Sequence, residues 1–225
     1  MLLCYTLESF LGYSGINILV NRLLLGLIMQ TINVELFTIN ELSEQARQKA
    51  IEKYRSNCDV DLQFTVEYIE EVLTCLCFES PKISYSGFSS QGDGLSFTSD
   101  NWQYKKGMLD NIKQVTTNKD VLEWAQCLYS ESKDTFFKLS FCVERTSNRY
   151  SHSNTVAVAD YQYSDYDLSD KQIDWLNHVK NGLCLVFYRM LESDYDYQLS
   201  DEYIIESLLS NEVMFLSSGK VWSVT

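Results

Sequence analysis

The chain has 225 residues, a length that suits one well-buried domain or two small ones. Hydrophobic residues make up 45% of the sequence and aromatic residues 13%, which excludes a globally disordered chain. The 31 Asp and Glu residues outnumber the 18 Lys and Arg residues, and the net charge of -13 argues against direct binding of DNA or RNA through a basic groove. The same charge favours solubility and can attract a basic partner protein.

The first 28 residues are predicted to form an apolar N-terminal extension or helix. The run from Ile16 to Met29 is apolar except for two Asn residues and Arg22, and it is shorter than the roughly 20 residues that cross a bilayer. It also lacks the basic start and the small-residue cleavage site of a secretory signal. We therefore expect a core helix or an extension upstream of a natural start, rather than a membrane anchor, followed by a single domain over 29–225.

From residue 31 onward the pattern predicts helices and strands without regular alternation. The segment from Thr31 to Phe37 is strand-like, and Thr38 and Glu41 have capping-box spacing, which predicts a helix over 40–55. The later predictions are a helix over 62–76 ending before Pro81, a hairpin over 83–97, a short helix over 121–128, strands over 136–143 and 155–163, a long helix from about Ser169, and a last helix capped by Ser200. This order predicts an α+β fold, in which an antiparallel sheet with a central hairpin packs against several helices.

The loop of the predicted hairpin has the sequence S-S-Q-G-D-G. Gly92 and Gly94 permit a positive φ, and Asp93 can bond its own backbone, so a tight turn is favoured. Ser90, Gln91 and Asp93 are candidates either for bonds within the turn or for contact with a partner.

The cysteine pattern predicts reduced, buried thiols in a cytoplasmic compartment, because the number is odd and the positions are scattered. No pair has C-x-x-C spacing and only His152 and His178 add imidazoles, so neither a metal nor another cofactor is predicted. The seven are Cys4, Cys58, Cys75, Cys77, Cys127, Cys142 and Cys184.

Catalytic motifs with a known mechanism are absent from the sequence. It has no G-x-G-x-x-G, P-loop, G-x-S-x-G or H-E-x-x-H. The weak catalytic candidates are Asp93 and His152, which could meet as an orienting carboxylate and a base. With Ser90, Gln91 and Arg149 they would form a small hydrolase or a nucleotide-binding enzyme, which is the alternative to a binding protein.

Acidic residues and tyrosines are interleaved in the C-terminal half. Tyrosine gives rigid contact area in interfaces, and carboxylates at a rim steer a basic partner or imitate the phosphates of a nucleic acid. Packing of these tyrosines on the domain's own core is the equally weighted alternative. The candidate binding residues here are Asp165, Tyr166, Asp167, Asp194, Tyr195, Asp196, Tyr197, Asp201 and Glu202.

Three segments carry a resemblance to a known family. They are F-x-x-x-E-L-S-x-x-A from Phe37, Y-S-G-F-x-S-Q-G-D-G from Tyr85, and Y-R-x-L-E-x-x-Y-x-Y from Tyr188. In this order the chain resembles, over about 29–224, a family of small phage- and prophage-encoded proteins that are sometimes labelled antitoxins. The resemblance implies a mobile-element accessory protein, a class that commonly inhibits host defence or a cognate toxin, and it brings no catalytic residues.

Together these observations predict a viral, phage-type inhibitor that acts in the cytoplasm of the host cell. It would dock its acidic, tyrosine-rich surface on a basic protein, either a toxin or a defence nuclease such as a CRISPR effector, without direct nucleic-acid or membrane binding. A structural or virion-associated protein is the third class. The sequence leaves the oligomeric state open.

Overall fold

A computed structural model describes residues 33–223 of the chain, which form two compact units. One unit consists of 33–60 and 197–223, and the other consists of 61–196. The prediction for residues 1–28 lies outside the described residues. The prediction of a single domain over 29–225 stays a prediction.

The smaller unit pairs two helices, α1 (Glu44–Asn57) and α6 (Asp201–Ser210). Ser43 caps α1 through its side chain, and Ser200 caps α6 by accepting a bond from the Tyr203 N–H at 3.2 Å. Their apolar faces share one core with the segments that flank them, made of Ile39, Leu42, Ala46, Ala50, Ile51, Ile204, Leu208 and Phe215. Because the helices are short, this shared core, rather than helix propensity, stabilises them.

Two predictions at the start of this unit are wrong. The Glu41 side chain does accept a bond from the Thr38 N–H, at 2.8 Å, but this bond closes a turn, and α1 begins only after Ser43. The strand over 31–37 is absent from its described part, where Phe37 alone forms an isolated bridge to Phe215. A capping-box pattern therefore marked a turn that precedes the helix.

The larger unit contains a five-stranded antiparallel sheet. The strands are β1 (Phe78–Glu79), β2 (Lys82–Ser86), β3 (Gly94–Gln103), β4 (Ser140–Arg145) and β5 (Val156–Asp160). Strand β3 is central: β2 pairs with its first half, β1 with its second half, and β4 along its other side, with β5 beyond β4. The hairpin over 83–97 is confirmed as β2 and β3. Since β3 is covered on both faces, Leu95, Ser96 and Phe97 are all buried and do not alternate as predicted.

Four helices belong to this unit or run out of it. They are α2 (Gln63–Cys75), α3 (Met108–Val115), α4 (Lys119–Asp134) and α5 (Asp170–Gln198). Helix α2 is fixed on the sheet by the Glu70 carboxylate, which accepts from the Ile83 N–H at 3.4 Å. Just beyond its end, the buried Trp102 ring donates to the Leu76 carbonyl at 2.6 Å. Helix and sheet thus share polar bonds as well as a core, and the predicted α+β class, with an antiparallel sheet packed against helices, is confirmed.

Helix α5 covers the outer edge of β5. Its Asn177 side chain accepts from the Val158 N–H at 3.1 Å, and Lys180 donates to the Val156 carbonyl at 2.6 Å. Both backbone groups point away from β4, so the helix satisfies an edge that would otherwise be open to another strand. Lys180 is only 4% exposed, and burial lowers the pKa of its ammonium group.

Candidate functional site

A groove crosses the sheet where β3, β4 and β5 lie side by side. It consists of two clefts, of about 550 and 360 Å³, that share Tyr161 and Tyr163. The larger cleft lies over the middle of β3, and the smaller one lies beside Gln103 at its end. The lining comes from β3, from β4 and the turn before it, and from 160–166. We call this feature the sheet groove.

A β-bulge in β3 shapes the floor of the sheet groove. Ser99 faces Val143 and Trp102 faces Phe141, so β3 has one more residue than β4 between these pairs. The Ser99 hydroxyl donates to the Asn101 carbonyl at 2.9 Å, which satisfies part of the disrupted ladder. Bulges re-aim side chains and are frequent beside functional sites.

The sheet groove is acidic. Four exposed carboxylates line it, and two exposed bases, Lys138 and Arg145, face them. Within residues 33–223, none of the four carboxylates has a salt-bridge partner. The four are Asp100, Glu144, Asp160 and Asp165. A groove with unpaired carboxylates attracts cationic side chains and disfavours phosphate.

The thiol on the floor of the groove is not a nucleophile at neutral pH. The buried Cys142 sulfur lies 3.5 Å from Glu144 Oε1. Burial and the neighbouring Glu144 charge raise the pKa of Cys142 to about 11. Because the thiolate is the reactive form, this side chain serves packing.

The wall formed by 160–166 is held by local hydrogen bonds. Asp160 accepts from the Leu168 N–H at 2.9 Å, and the Ser164 hydroxyl accepts from the Tyr166 N–H at 3.0 Å. The rings of Tyr161 and Tyr163 meet edge to face at 5.5 Å, and Tyr163 is 76% exposed. Tyr163 is therefore offered to solvent on a braced loop, with the half-buried Tyr161 beside it.

One end of the sheet groove is aromatic. The Phe137 ring lines the smaller cleft and lies 4.9 Å from Tyr104 and 6.3 Å from Tyr129. Its neighbour Phe136 is 85% exposed. Contiguous exposed rings of this kind are typical of interaction surfaces.

The predicted residues Asp165 and Tyr166 line this groove, and Asp167 is exposed next to them. The Tyr166 hydroxyl accepts a bond from Gln172 Nε2 at 2.8 Å, which orients the ring. Their role in binding stays a prediction.

Several candidates on the second acidic segment have partners inside the fold. Asp194 accepts from the Thr65 hydroxyl at 2.5 Å, and Asp201 forms an ion pair with Arg55. The Tyr197 ring meets that of Tyr203 at 5.3 Å. Asp196 and Glu202 are exposed. This segment thus serves internal packing more than the groove residues do.

The hairpin loop is clamped on α5 by aromatic rings. Phe88 lies 5.5 Å from Tyr188 and 4.8 Å from Tyr195, so the predicted contact residue Tyr195 packs on the loop. The Tyr188 hydroxyl donates to the Gly87 carbonyl at 2.9 Å. Burial, together with nearby negative charge, raises the pKa of Tyr188 and keeps this donor protonated. Two of the three segments that carry the phage-family resemblance meet here.

Within the loop, Asp93 supports the turn. Its carboxylate accepts from the N–H groups of Ser89 at 2.9 Å and Ser90 at 2.6 Å. The side chains of Ser90 and Gln91 are exposed. Gly92 has a φ of +133°, which confirms its predicted conformational role.

Gly94 does not use the positive φ that glycine permits, because this residue begins β3 without a positive φ. Glycine is required here for lack of space, because an added Cβ would lie 2.7 Å from His152 Cδ2. The His152 ring accepts the Asn154 N–H at Nδ1, at 3.1 Å. Across residues 33–223, no hydrogen bond or ion pair joins His152 to Asp93. Each side chain is engaged in its own loop, and Arg149 is exposed.

Sequence reasoning missed the floor and the aromatic end of the groove. Asp100 and Glu144 stand apart along the chain and come together only through the pairing of β3 with β4. Phe136 and Phe137 were assigned to a strand, although they form the turn that follows α4. The available signal was two adjacent phenylalanines flanked by Thr135 and Lys138.

The described residues also bear on metals and membranes. No cluster of His, Cys, Asp and Glu side chains in 33–223 has an arrangement that would hold a metal ion. In the same part of the chain, every helix is too short or too polar to cross a bilayer. All six cysteines of this part are free thiols, of which Cys77, Cys142 and Cys184 are buried.

Comparison with known proteins gives a family match without a named activity. The model of a domain of unknown function (DUF8835) matches residues 48–201, which is more than half of the chain and includes all strands of the sheet. No curated protein and no solved structure matches the chain.

Proposed function

We propose that this chain, which belongs to the DUF8835 family of domains of unknown function, is a protein-binding protein whose sheet groove receives a basic segment of its partner. The observation that carries this proposal is the set of four groove carboxylates without a salt-bridge partner among residues 33–223. Arginine or lysine side chains in the groove would pair with them, and the tyrosine rings would stack on a guanidinium group. The net charge of -13 would speed the encounter.

The partner class follows from this chemistry together with the phage-family resemblance. Nucleases and many toxins carry basic surfaces that bind nucleic acid, and an acidic groove competes for such a surface. We propose an inhibitor or antitoxin-like protein that acts in the host cytoplasm on a defence nuclease or a toxin. In this account the chain binds no nucleic acid itself, because its groove repels phosphate.

The first test uses a fluorescein-labelled peptide of alternating arginine and glycine as probe, with anisotropy as readout. The groove variant replaces three carboxylates, Asp100→Asn, Glu144→Gln and Asp165→Asn. The control variant removes as many exposed charges from the helices of the same unit, by Glu71→Gln, Asp110→Asn and Glu123→Gln. We expect the groove variant to lose most of its affinity, and the control to lose only the smaller part due to net charge. Equal losses in the two variants would contradict a groove-specific site.

The second test is capture of partners from host lysate at low and high salt, with the same two variants. A partner that binds through the groove should be captured by the control variant and not by the groove variant. High salt should weaken its binding by lowering the association rate. Duplex DNA should displace it if its basic surface normally binds nucleic acid. Recovery of no protein at either salt concentration, or of the same proteins by all three chains, would count against the proposal.

A further inference from the structure

We infer that the sheet groove reads a short linear motif, in which a basic residue and a large apolar residue lie about five residues apart. The inference rests on the proposed function, and it adds that the aromatic end of the groove is a second subsite. The basic residue would sit by Asp100 and Glu144. The apolar residue would sit on the ring of Phe137, which lines the smaller cleft, next to the exposed Phe136.

The two subsites differ in chemistry within one groove. The larger cleft has three carboxylates and one arginine, whereas the smaller cleft has one carboxylate and one lysine and adds Phe137 and Tyr166 to the two tyrosines that line both clefts. Phe137 is 42% exposed although it touches Tyr104 and Tyr129, so one face of this ring cluster is left uncovered. An apolar side chain of the partner that packs on that face would bury apolar surface on itself and on the rings. This burial is the main source of affinity at such positions.

The turn that presents these rings is built at a conformational cost. The Phe136 N–H donates to the Lys133 carbonyl at 3.0 Å and the Phe137 N–H to the Ser132 carbonyl at 2.6 Å, which closes α4 with a Schellman motif. Phe136 and Phe137 have φ values of +53° and +61°, in a region where glycine is preferred. Each of these two aromatic residues therefore destabilises the fold through its left-handed backbone conformation.

Positive φ alone does not mark a functional residue in this chain. Cys77 and Glu212 also have positive φ just after helices, at +71° and +51°. Cys77 is buried and Glu212 is polar, so neither residue exposes an apolar side chain to solvent. Phe136 and Phe137 combine the same backbone strain with apolar side chains that are 85% and 42% exposed, and Phe137 lines the smaller cleft. Contact with a partner is the explanation that accounts for all three properties.

The spacing of the motif follows from the length of the groove. The carboxylate farthest from the aromatic end is Glu144, which lies beside Thr98 because Ser99 pairs with Val143. From there to Gln103 the lining runs along five residue steps of β3, or about 17 Å at roughly 3.3 Å per residue. An extended segment of the partner covers this distance with about five residues of its own. The shared residues Tyr161 and Tyr163 would lie over its middle.

The test is selection of a displayed library of random dodecapeptides on three chains. They are the wild type, the aromatic variant Phe136→Asn with Phe137→Asn, and a control, Phe64→Asn. Asparagine tolerates positive φ, so the aromatic variant keeps its turn. Phe64 lies in the first turn of α2 in the same unit and is 82% exposed, so the control removes an equally exposed ring away from the groove.

We expect the wild type and the control to enrich peptides with Arg or Lys about five residues from Phe, Trp, Tyr or Leu. The aromatic variant should still enrich basic peptides and lose the apolar position. A labelled peptide of the consensus should bind the aromatic variant at least about tenfold more weakly than the control, in line with burial of one large apolar side chain. If the wild type enriched basic peptides that have no apolar residue at this spacing, the motif inference would be overturned and the proposed function would stand. Absence of basic enrichment would overturn the proposed function as well.

Discussion

The packing of His152 under the hairpin can be tested by adding one methyl group. In Gly94→Ala the new Cβ would lie 2.7 Å from His152 Cδ2 and 3.3 Å from Cγ, which is closer than van der Waals contact. Overpacking of this kind costs about 1–3 kcal/mol in the free energy of unfolding. In a His152→Ala background both ring atoms are gone, and the third of the three nearest atoms, the His152 Cα, lies at 3.4 Å. There Gly94→Ala should cost no more than about 0.5 kcal/mol.

The assay is a double-mutant cycle measured by urea unfolding of the four chains, followed by tryptophan fluorescence. The expected coupling energy is about 1–2 kcal/mol in the direction of rescue. His152→Ala alone should be destabilising, because the Asn154 N–H loses its acceptor. Equal costs of Gly94→Ala in both backgrounds would refute the reasoning, since His152 would then not pack on the strand. The result also bears on catalysis, because a ring wedged against β3 cannot turn towards a substrate.

Three further predictions concern stability. Gly219→Ala should lower the free energy of unfolding by more than about 3 kcal/mol, since its Cβ would lie 2.3 Å from the Ala46 carbonyl oxygen. Gly92 also has a positive φ but has open space around it, so Gly92→Ala should cost about 1 kcal/mol in the same denaturation assay. Phe136→Gly should raise the melting temperature, because relief of about 1–2 kcal/mol of backbone strain exceeds the gain in unfolded-state entropy; a lower melting temperature would contradict the strain argument. For Lys180, burial lowers the folded-state pKa below the ordinary 10.5, so the unfolded state binds more protons and stability rises as pH increases towards 10.5. Unfolding free energies measured across that range should therefore rise less steeply in Lys180→Met than in the wild type.

Local signals in the sequence predicted the elements that they control directly. Ser200 caps α6, because a capping bond acts within a few residues. Helix α2 does end before Pro81, but it ends at Cys75 and β1 lies in between, so the proline does not terminate it. Helix α3 was missed, since its eight residues follow Gly107 and have no side-chain cap. The strand predicted over 136–143 begins only at Ser140, because a Schellman closure at Phe136 and Phe137 overrides the β propensity of phenylalanine.

The candidate site could be predicted only where it is local in the chain. Asp165 and Tyr166 stand out in the sequence because acids and tyrosines are dense around them. Asp100 and Glu144 do not, since strand register and the bulge at Ser99 decide that they line one groove. Register and bulges depend on partners far along the chain, and these are not encoded in the spacing of nearby residues.

The choice between binding and catalysis rests on which groups of the larger unit remain unused. The Asp93 carboxylate closes a turn, His152 packs on β3, and burial keeps the Cys142 thiol protonated. Within the described residues none of the four groove carboxylates has a salt-bridge partner, although Asp160 also braces its loop, and Phe136 at the aromatic end is 85% exposed. Exposed rings and unpaired charges contribute little to folding, whereas each contributes to affinity once a partner covers it. We therefore expect the rings and carboxylates of the groove to contribute more to the affinity of a complex than to the stability of the isolated fold.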